Sequence, residues 1–196
     1  ALDAADNAAH ALRGQQRGHA SEARIAMLRA AVARLGNNRE RERTYLESVL
    51  ATAPEYAGLV AEQLLESYRS LGQAPEGLKI LTAHYMRYPA LDVFNVIFRE
   101  LRAQDGYVPA WEFARDALRA HPTLLGLDRL LEVELASGTT PPGPNMAPDA
   151  DLGLLRSLIH KHTQRLDRYA CGVCGFEARH FYWQCPGCNS WETYQP

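Results

Sequence analysis

Residues 64–89 read LLESYRSLGQAPEGLKILTAHYMRYP. Leu64, Leu65, Tyr68 and Leu71 fall at i, i+1, i+4 and i+7, a spacing that puts apolar side chains on one side of a helix. Gly72 follows the stripe, and glycine takes the left-handed conformation that closes a helix at little cost. A second helical stretch runs on to Pro89, and proline cannot continue a helix. The unit therefore reads helix, glycine turn, helix, proline.

The unit recurs. Glycines end apolar stretches at Gly36, Gly72, Gly106 and Gly138, spaced 36, 34 and 32 residues apart. Prolines punctuate at Pro54, Pro89 and Pro122, spaced 35 and 33 apart. Eight residues before each glycine stand Leu28, Leu64, Phe98 and Leu130. Val93, Phe94, Ile97, Phe98 and Leu101 line one face of a third-unit helix, and Trp111, Ala114 and Leu118 line its partner. One helical pair cannot cover its own apolar face, so pairs of this kind stack into a solenoid.

The spacing predicts a leading helix over 2–17, then pairs at 21–35 with 39–52, 56–71 with 75–88, 91–104 with 109–120, and 123–137 with 150–166. A loop at 139–149 interrupts the last pair, because Thr139 to Pro148 reads TTPPGPNMAP. The chain starts at Ala1 within a helical pattern, so a longer parent protein is expected. A period near 34 resembles the tetratricopeptide repeat over residues 20–138. It departs from that repeat where a small residue usually follows the leucine, since Arg29, Leu65, Arg99 and Leu131 stand there.

Composition narrows the function classes. An apolar fraction of 46% suits a globular chain. With 21 basic and 23 acidic residues the net charge is −2, so no basic field draws nucleic acid. No apolar run approaches the roughly 18–20 residues of a bilayer span. No nucleophile motif, phosphate loop or paired carboxylates stands out, so the expectation is a protein that is not an enzyme. Asn95, Arg99 and Arg102, at i, i+4 and i+7, are a candidate polar stripe on a binding surface, although a solvated face is the plainer reading.

All four cysteines lie in the tail from Tyr169, YACGVCGFEARHFYWQCPGCNSWETYQP. Cys171 and Cys174 form one C-x-x-C, and Cys185 and Cys188 form the other as C-P-G-C. Such turns each point two thiolates at one ion, and two facing turns make a tetrahedral sulfur site that suits one zinc or iron ion. Gly175 and Asn189 suit the positive φ these turns need. Twenty-eight residues cannot hold a core unaided, whereas zinc supplies about 10–16 kcal/mol of apparent folding free energy. Four thiolates fill the coordination shell, so the metal is expected to be structural. His180 is not needed as a ligand. His160 and His162, two apart, share no helix face and read as solvated or capping residues. The aromatics Tyr169, Phe176, Phe181, Tyr182, Trp183, Trp191 and Tyr194 are expected to shield the site and dock it on the helices.

Helical repeats followed by YACGVCGF, then Trp183, Cys185, Pro186, Cys188 and Trp191, resemble the lipopolysaccharide assembly protein B family. That resemblance implies a mainly α fold, tetratricopeptide repeats over 1–168 and a rubredoxin-like, zinc-ribbon metal module over 169–196. It implies Cys171, Cys174, Cys185 and Cys188 as ligands of one Fe or Zn ion. It also implies an adaptor that regulates lipid A synthesis by linking the committing deacetylase to a membrane-anchored AAA+ protease and to lipopolysaccharide transport proteins. The implied place is the cytoplasmic side of the inner membrane, reached through an N-terminal helix that this sequence lacks. A homo-oligomer is among the expected assemblies, and residues 1–196 by themselves are expected to be soluble. In true rubredoxins the cysteine pairs stand much further apart, so the likeness carries metal binding further than it carries electron transfer. A rubredoxin-like one-electron carrier fused to an interaction solenoid is the alternative reading.

Overall fold

The computed structural model describes residues 17–137, 148–166 and 169–194. Among these the chain is mainly helical, with α1 (Arg17–Leu35), α2 (Arg39–Thr52), a 3-10 turn (Pro54–Tyr56), α3 (Ala57–Ser70) and α4 (Ala74–Arg87). These are followed by α5 (Leu91–Gln104), α6 (Tyr107–Ala120), α7 (Leu124–Ser137) and α8 (Pro148–Leu166). A short hairpin of β1 (Tyr169–Ala170) and β2 (Glu177–Ala178) opens the tail. No described helix is long and apolar enough to cross a membrane.

The helical pairs fall within a few residues of the predicted spans. The leading helix expected over 2–17 lies outside the described residues, apart from Arg17, which begins α1. Of the loop expected over 139–149, residues 148 and 149 already belong to α8, and the remainder lies outside the described residues.

The turn chemistry follows the glycine register at Gly72 and departs from it at Gly36. After α3, Gly72 has φ 72 and donates its N–H to the Arg69 carbonyl, while the Gln73 N–H reaches Tyr68 O. After α1 the same two bonds run from Asn37 to Arg34 and from Asn38 to Ala33, and Asn37 is the residue with φ 55. Gly36 therefore does not fill the left-handed position there; asparagine, which tolerates that conformation, does so one residue later. Asn38 then caps α2 by accepting from the Arg41 N–H at 3.0 Å.

The chain divides into two compact units, with the boundary inside α5. One holds the described residues up to Val96 together with those from Tyr169 onward. In it α1 packs on α2, α2 on α3, and α3 on α4. Leu46, Val49, Val60, Leu64 and Leu81 are fully buried there. Leu28, however, is 50% exposed. The buried stripe of α1 is Ala23, Ala26, Ala30 and Ala33. At about 100° per residue Leu28 lies about 200° round the helix from Ala26, so the position eight before the glycine is not equivalent in the first unit.

The other unit runs from Ile97 to α8, with α6 on α7 and α7 on α8. Its helices are tied by charge as well as by apolar packing. Asp128 is fully buried, and His160 Nδ1 lies 3.0 Å from its carboxylate. Glu132 pairs with Arg102, with Arg129 at 2.7 Å and with Arg156 at 3.2 Å. His160 thus takes a carboxylate partner, and Arg102 of the candidate polar stripe is engaged within the fold.

Gly77 in α4 faces Tyr68 of α3, and a Cβ there would sit 2.7 Å from the ring. Alanine gains about 1 kcal/mol over glycine in an open helix, but overpacking costs about 1–3 kcal/mol. The contact is with a buried ring body rather than a flexible chain end, so sterics win. Gly77→Ala is expected to destabilise by about 1–2 kcal/mol in chemical denaturation, and a stabilised variant would contradict the packing described.

Candidate metal centre

Each C-x-x-C is built as the same turn. In the first, the Cys171 N–H donates to Phe176 O at 3.0 Å and the Gly175 N–H to Cys171 O at 2.9 Å. In the second, the Cys185 N–H donates to Ser190 O and the Asn189 N–H to Cys185 O, both at 2.8 Å. The leading sulfurs each accept an amide within the turn, Cys171 from Val173 and Cys185 from Gly187, both at 3.4 Å. Gly175 and Asn189 hold φ 73 and φ 59, as the sequence predicts. Flanking residues pair alike, Ala170 with Glu177 and Gln184 with Trp191. Two equivalent turns offset by fourteen residues thus face one another.

The four sulfurs lie within 4.8 Å of one another and can hold a metal ion. Cys171 Sγ and Cys188 Sγ are 3.8 Å apart, and Cys174 Sγ and Cys185 Sγ are 3.7 Å apart. A tetrahedron with metal–sulfur bonds of about 2.3 Å has sulfur–sulfur edges of about 3.8 Å. A disulfide needs about 2.05 Å, and all four cysteines are free. Electrostatics agrees with the geometry. The Thr193 hydroxyl beside Cys171 draws its thiol down to about 6. Cys174, although it accepts a hydrogen bond from the Phe176 amide, is pushed up to about 12 by lost hydration and by the neighbouring sulfurs. Four adjacent thiolates repel unless a cation lies between them, so the donor set fits a divalent or trivalent ion. His180 is exposed and stands outside the sulfur group.

Cys171, Cys185 and Tyr194 form the small buried core of the tail, with Tyr169, Ala178, Phe181 and Cys188 packed against it. That core rests on the helices. Tyr56, from the 3-10 turn, stacks on Trp183 at 5.6 Å and meets Phe181 edge-on at 6.1 Å. The Tyr169 hydroxyl donates to Asp92 at 3.1 Å. Glu192 accepts from Ser21 Oγ at 2.8 and 3.0 Å and pairs with Arg24 at 3.2 Å. Arg24 also lies over the Trp191 ring at 4.9 Å. Glu192 holds φ 57, a conformation costing a non-glycine residue about 1–3 kcal/mol. Its Ser21 and Arg24 contacts offset that strain.

The expected aromatics divide by role. Tyr169, Phe181 and Trp183 face the helices, Tyr194 is buried beside the sulfurs, and Phe176, Tyr182 and Trp191 stay largely exposed. Sequence reasoning missed Ser21, Arg24, Tyr56, Asp92 and Glu192. Only the place of Tyr56, just after Pro54, hinted at a special position.

The tail has a known counterpart. A family model described as a rubredoxin metal binding domain matches residues 169–196. Lipopolysaccharide assembly protein B of Haemophilus influenzae is 23% identical to the chain over 173 residues, which is 88% of this chain and 42% of that relative. The chain therefore spans less than half the length of the relative.

Proposed function

We propose that this chain is the helical-repeat and metal-module part of a non-catalytic adaptor in lipopolysaccharide synthesis. The observation that carries the reading is a closed set of four sulfurs, similar to a rubredoxin metal domain, built onto a face of stacked helical pairs. With four thiolates bound, no coordination position remains for water or substrate, and the ion acts as a structural staple. Cys171, Cys174, Cys185 and Cys188 are its ligands, and the ion is zinc or iron. The module 169–196 owes its folding to that ion, whereas the described helices owe theirs mainly to packing, a difference that supports a domain boundary after residue 168 although the module lies in the same compact unit as the first helices.

Stacked helical pairs present long surfaces to partner segments. The likeness to lipopolysaccharide assembly protein B supports partners in that system: the deacetylase committing precursors to lipid A, a membrane-anchored AAA+ protease, and lipopolysaccharide transport proteins. The same likeness supports anchoring at the cytoplasmic face of the inner membrane through a segment outside this sequence. Affinity capture with the metal-loaded full-length protein tests the adaptor role. Retention of deacetylase and protease together is the expected result. Retention of neither opposes the role.

The electron-carrier reading predicts a coloured protein with reversible iron chemistry. A colourless zinc protein with full regulatory activity excludes it.

A further inference from the structure

The two cysteine turns match bond for bond until the last residues of the tail are added. Each leading sulfur accepts the same backbone amides of its own turn, those of Val173 and Cys174 at Cys171 and those of Gly187 and Cys188 at Cys185, with the Val173 and Gly187 contacts both at 3.4 Å. Cys171 has a further neighbour, the Thr193 hydroxyl, with Oγ1 3.1 Å from its sulfur. The hydroxyl near Cys185 belongs to Tyr194, at the longer distance of 3.8 Å. Tyr194 has one phenolic proton, and the Phe176 carbonyl stands 3.3 Å away to receive it. A metal-bound thiolate carries no proton, so between Thr193 and Cys171 the hydroxyl must be the donor.

Thr193 is also held in place. Its carbonyl accepts the Gly172 N–H at 2.8 Å, and the adjoining Tyr194 pairs with Cys171 as an antiparallel bridge. The side chain is therefore aimed by the backbone on both sides of the sulfur it contacts. A site of four thiolates and a divalent ion carries a formal charge of 2−. A hydroxyl donated to one sulfur spreads part of that charge and fixes the ligand's orientation.

We infer that Thr193 is a positioning residue of the metal centre, its hydroxyl donating to the Cys171 sulfur and thereby strengthening retention of the ion and setting its electronic character. Among the described residues Cys185 has only the more distant Tyr194 hydroxyl, which donates to Phe176 O, so the site is asymmetric in a way its paired motifs do not suggest. Hydrogen bonds to sulfur are among the levers that move iron–sulfur potentials. Removing an outer partner of a metal ligand typically lowers metal affinity about 10- to 100-fold.

The inference rests on the four sulfurs holding metal, and the experiment separates the two. Thr193→Val keeps the branched shape without the hydroxyl, Thr193→Ala removes both, and Thr193→Ser keeps the hydroxyl. Zinc-loaded full chains are titrated with a chromogenic chelator, and iron-loaded chains are examined by their sulfur-to-iron absorption bands and reduction potential. The valine and alanine variants are expected to yield zinc about 10- to 100-fold more readily, with shifted bands and a lowered potential. Serine is expected to match the parent. A valine variant equal to the parent in chelator competition and in its iron spectrum overturns the inference. So does a serine variant as weak as valine, or a loss in only one of valine and alanine, since either assigns the effect to packing. A parent chain that takes up no metal overturns the tetrathiolate reading itself.

Discussion

With Cys171→Ser and Cys174→Ser together, the protein is expected to bind no metal and to lose the folded tail from Tyr169 onward. Magnitudes decide this. A structural zinc site contributes about 10–16 kcal/mol of apparent folding free energy. The tail's own buried core is Cys171, Cys185 and Tyr194, and two of those three are ligands. Nothing of comparable size remains once the ion is lost, and the hairpin of β1 and β2 pairs only two residues on each strand. The loss also reaches the helices. Tyr56 is buried with Trp183 and Phe181 against its ring, and fully re-exposing an aromatic ring of that size costs about 1.5–3 kcal/mol. The first unit should therefore soften as well. Metal analysis, limited proteolysis and thermal melting read the three effects. A double variant that keeps one metal per chain and resists proteolysis after residue 168 would sink the structural role of the ion.

Tyr56→Ala should separate docking from metal binding. The ring touches no sulfur, so metal content is expected to stay at the parent value. Its removal leaves Trp183 and Phe181 without their partner on the helices, and truncating a buried aromatic to alanine costs about 3–5 kcal/mol. The aromatic pairing itself accounts for about 0.5–1.5 kcal/mol of contact energy beyond area. We expect the first unit to melt roughly 10 °C or more below the parent, and the Trp183 emission to shift to the red as water reaches the ring. The Glu192 contacts with Ser21 and Arg24 remain, so detachment is partial. A variant within about 1 kcal/mol of the parent, judged against the cost usual for such a truncation, would show that the stacking seen at Tyr56 does not hold the module. The two experiments differ in one readout: the cysteine variant loses metal and docking together, and the tyrosine variant weakens docking while keeping the metal.

Much of this architecture follows from neighbours in the chain. Gly72, Pro89 and Pro122 act within one turn of themselves, and helix boundaries follow them closely. The exception at Gly36 has the same local origin, since either of two adjacent residues can satisfy a left-handed turn and Asn37 does. The cysteine turns were legible for the same reason. Two residues between ligands leave the backbone few ways to run, and Gly175 and Asn189 stand where the required φ is positive.

Other features had no local signal. Leu28 occupies the same register as Leu64 and Phe98, yet it is exposed because alanines occupy the packed face of α1. His160 was expected to be solvated or capping, and it meets a buried aspartate 32 residues away. Glu192 adopts φ 57 without a glycine to announce it.

Sequence alone determined the helical pairs, their turns and the convergence of four sulfurs, because each depends on dihedral and ligand constraints spanning a few residues. Tertiary structure alone decided that the tail rests on Tyr56, Ser21, Arg24 and Asp92, and that Thr193 faces Cys171. Those contacts join surfaces far apart in the chain. Their partners are set by how whole faces fit once folded, and no short-range preference of the chain encodes that fit.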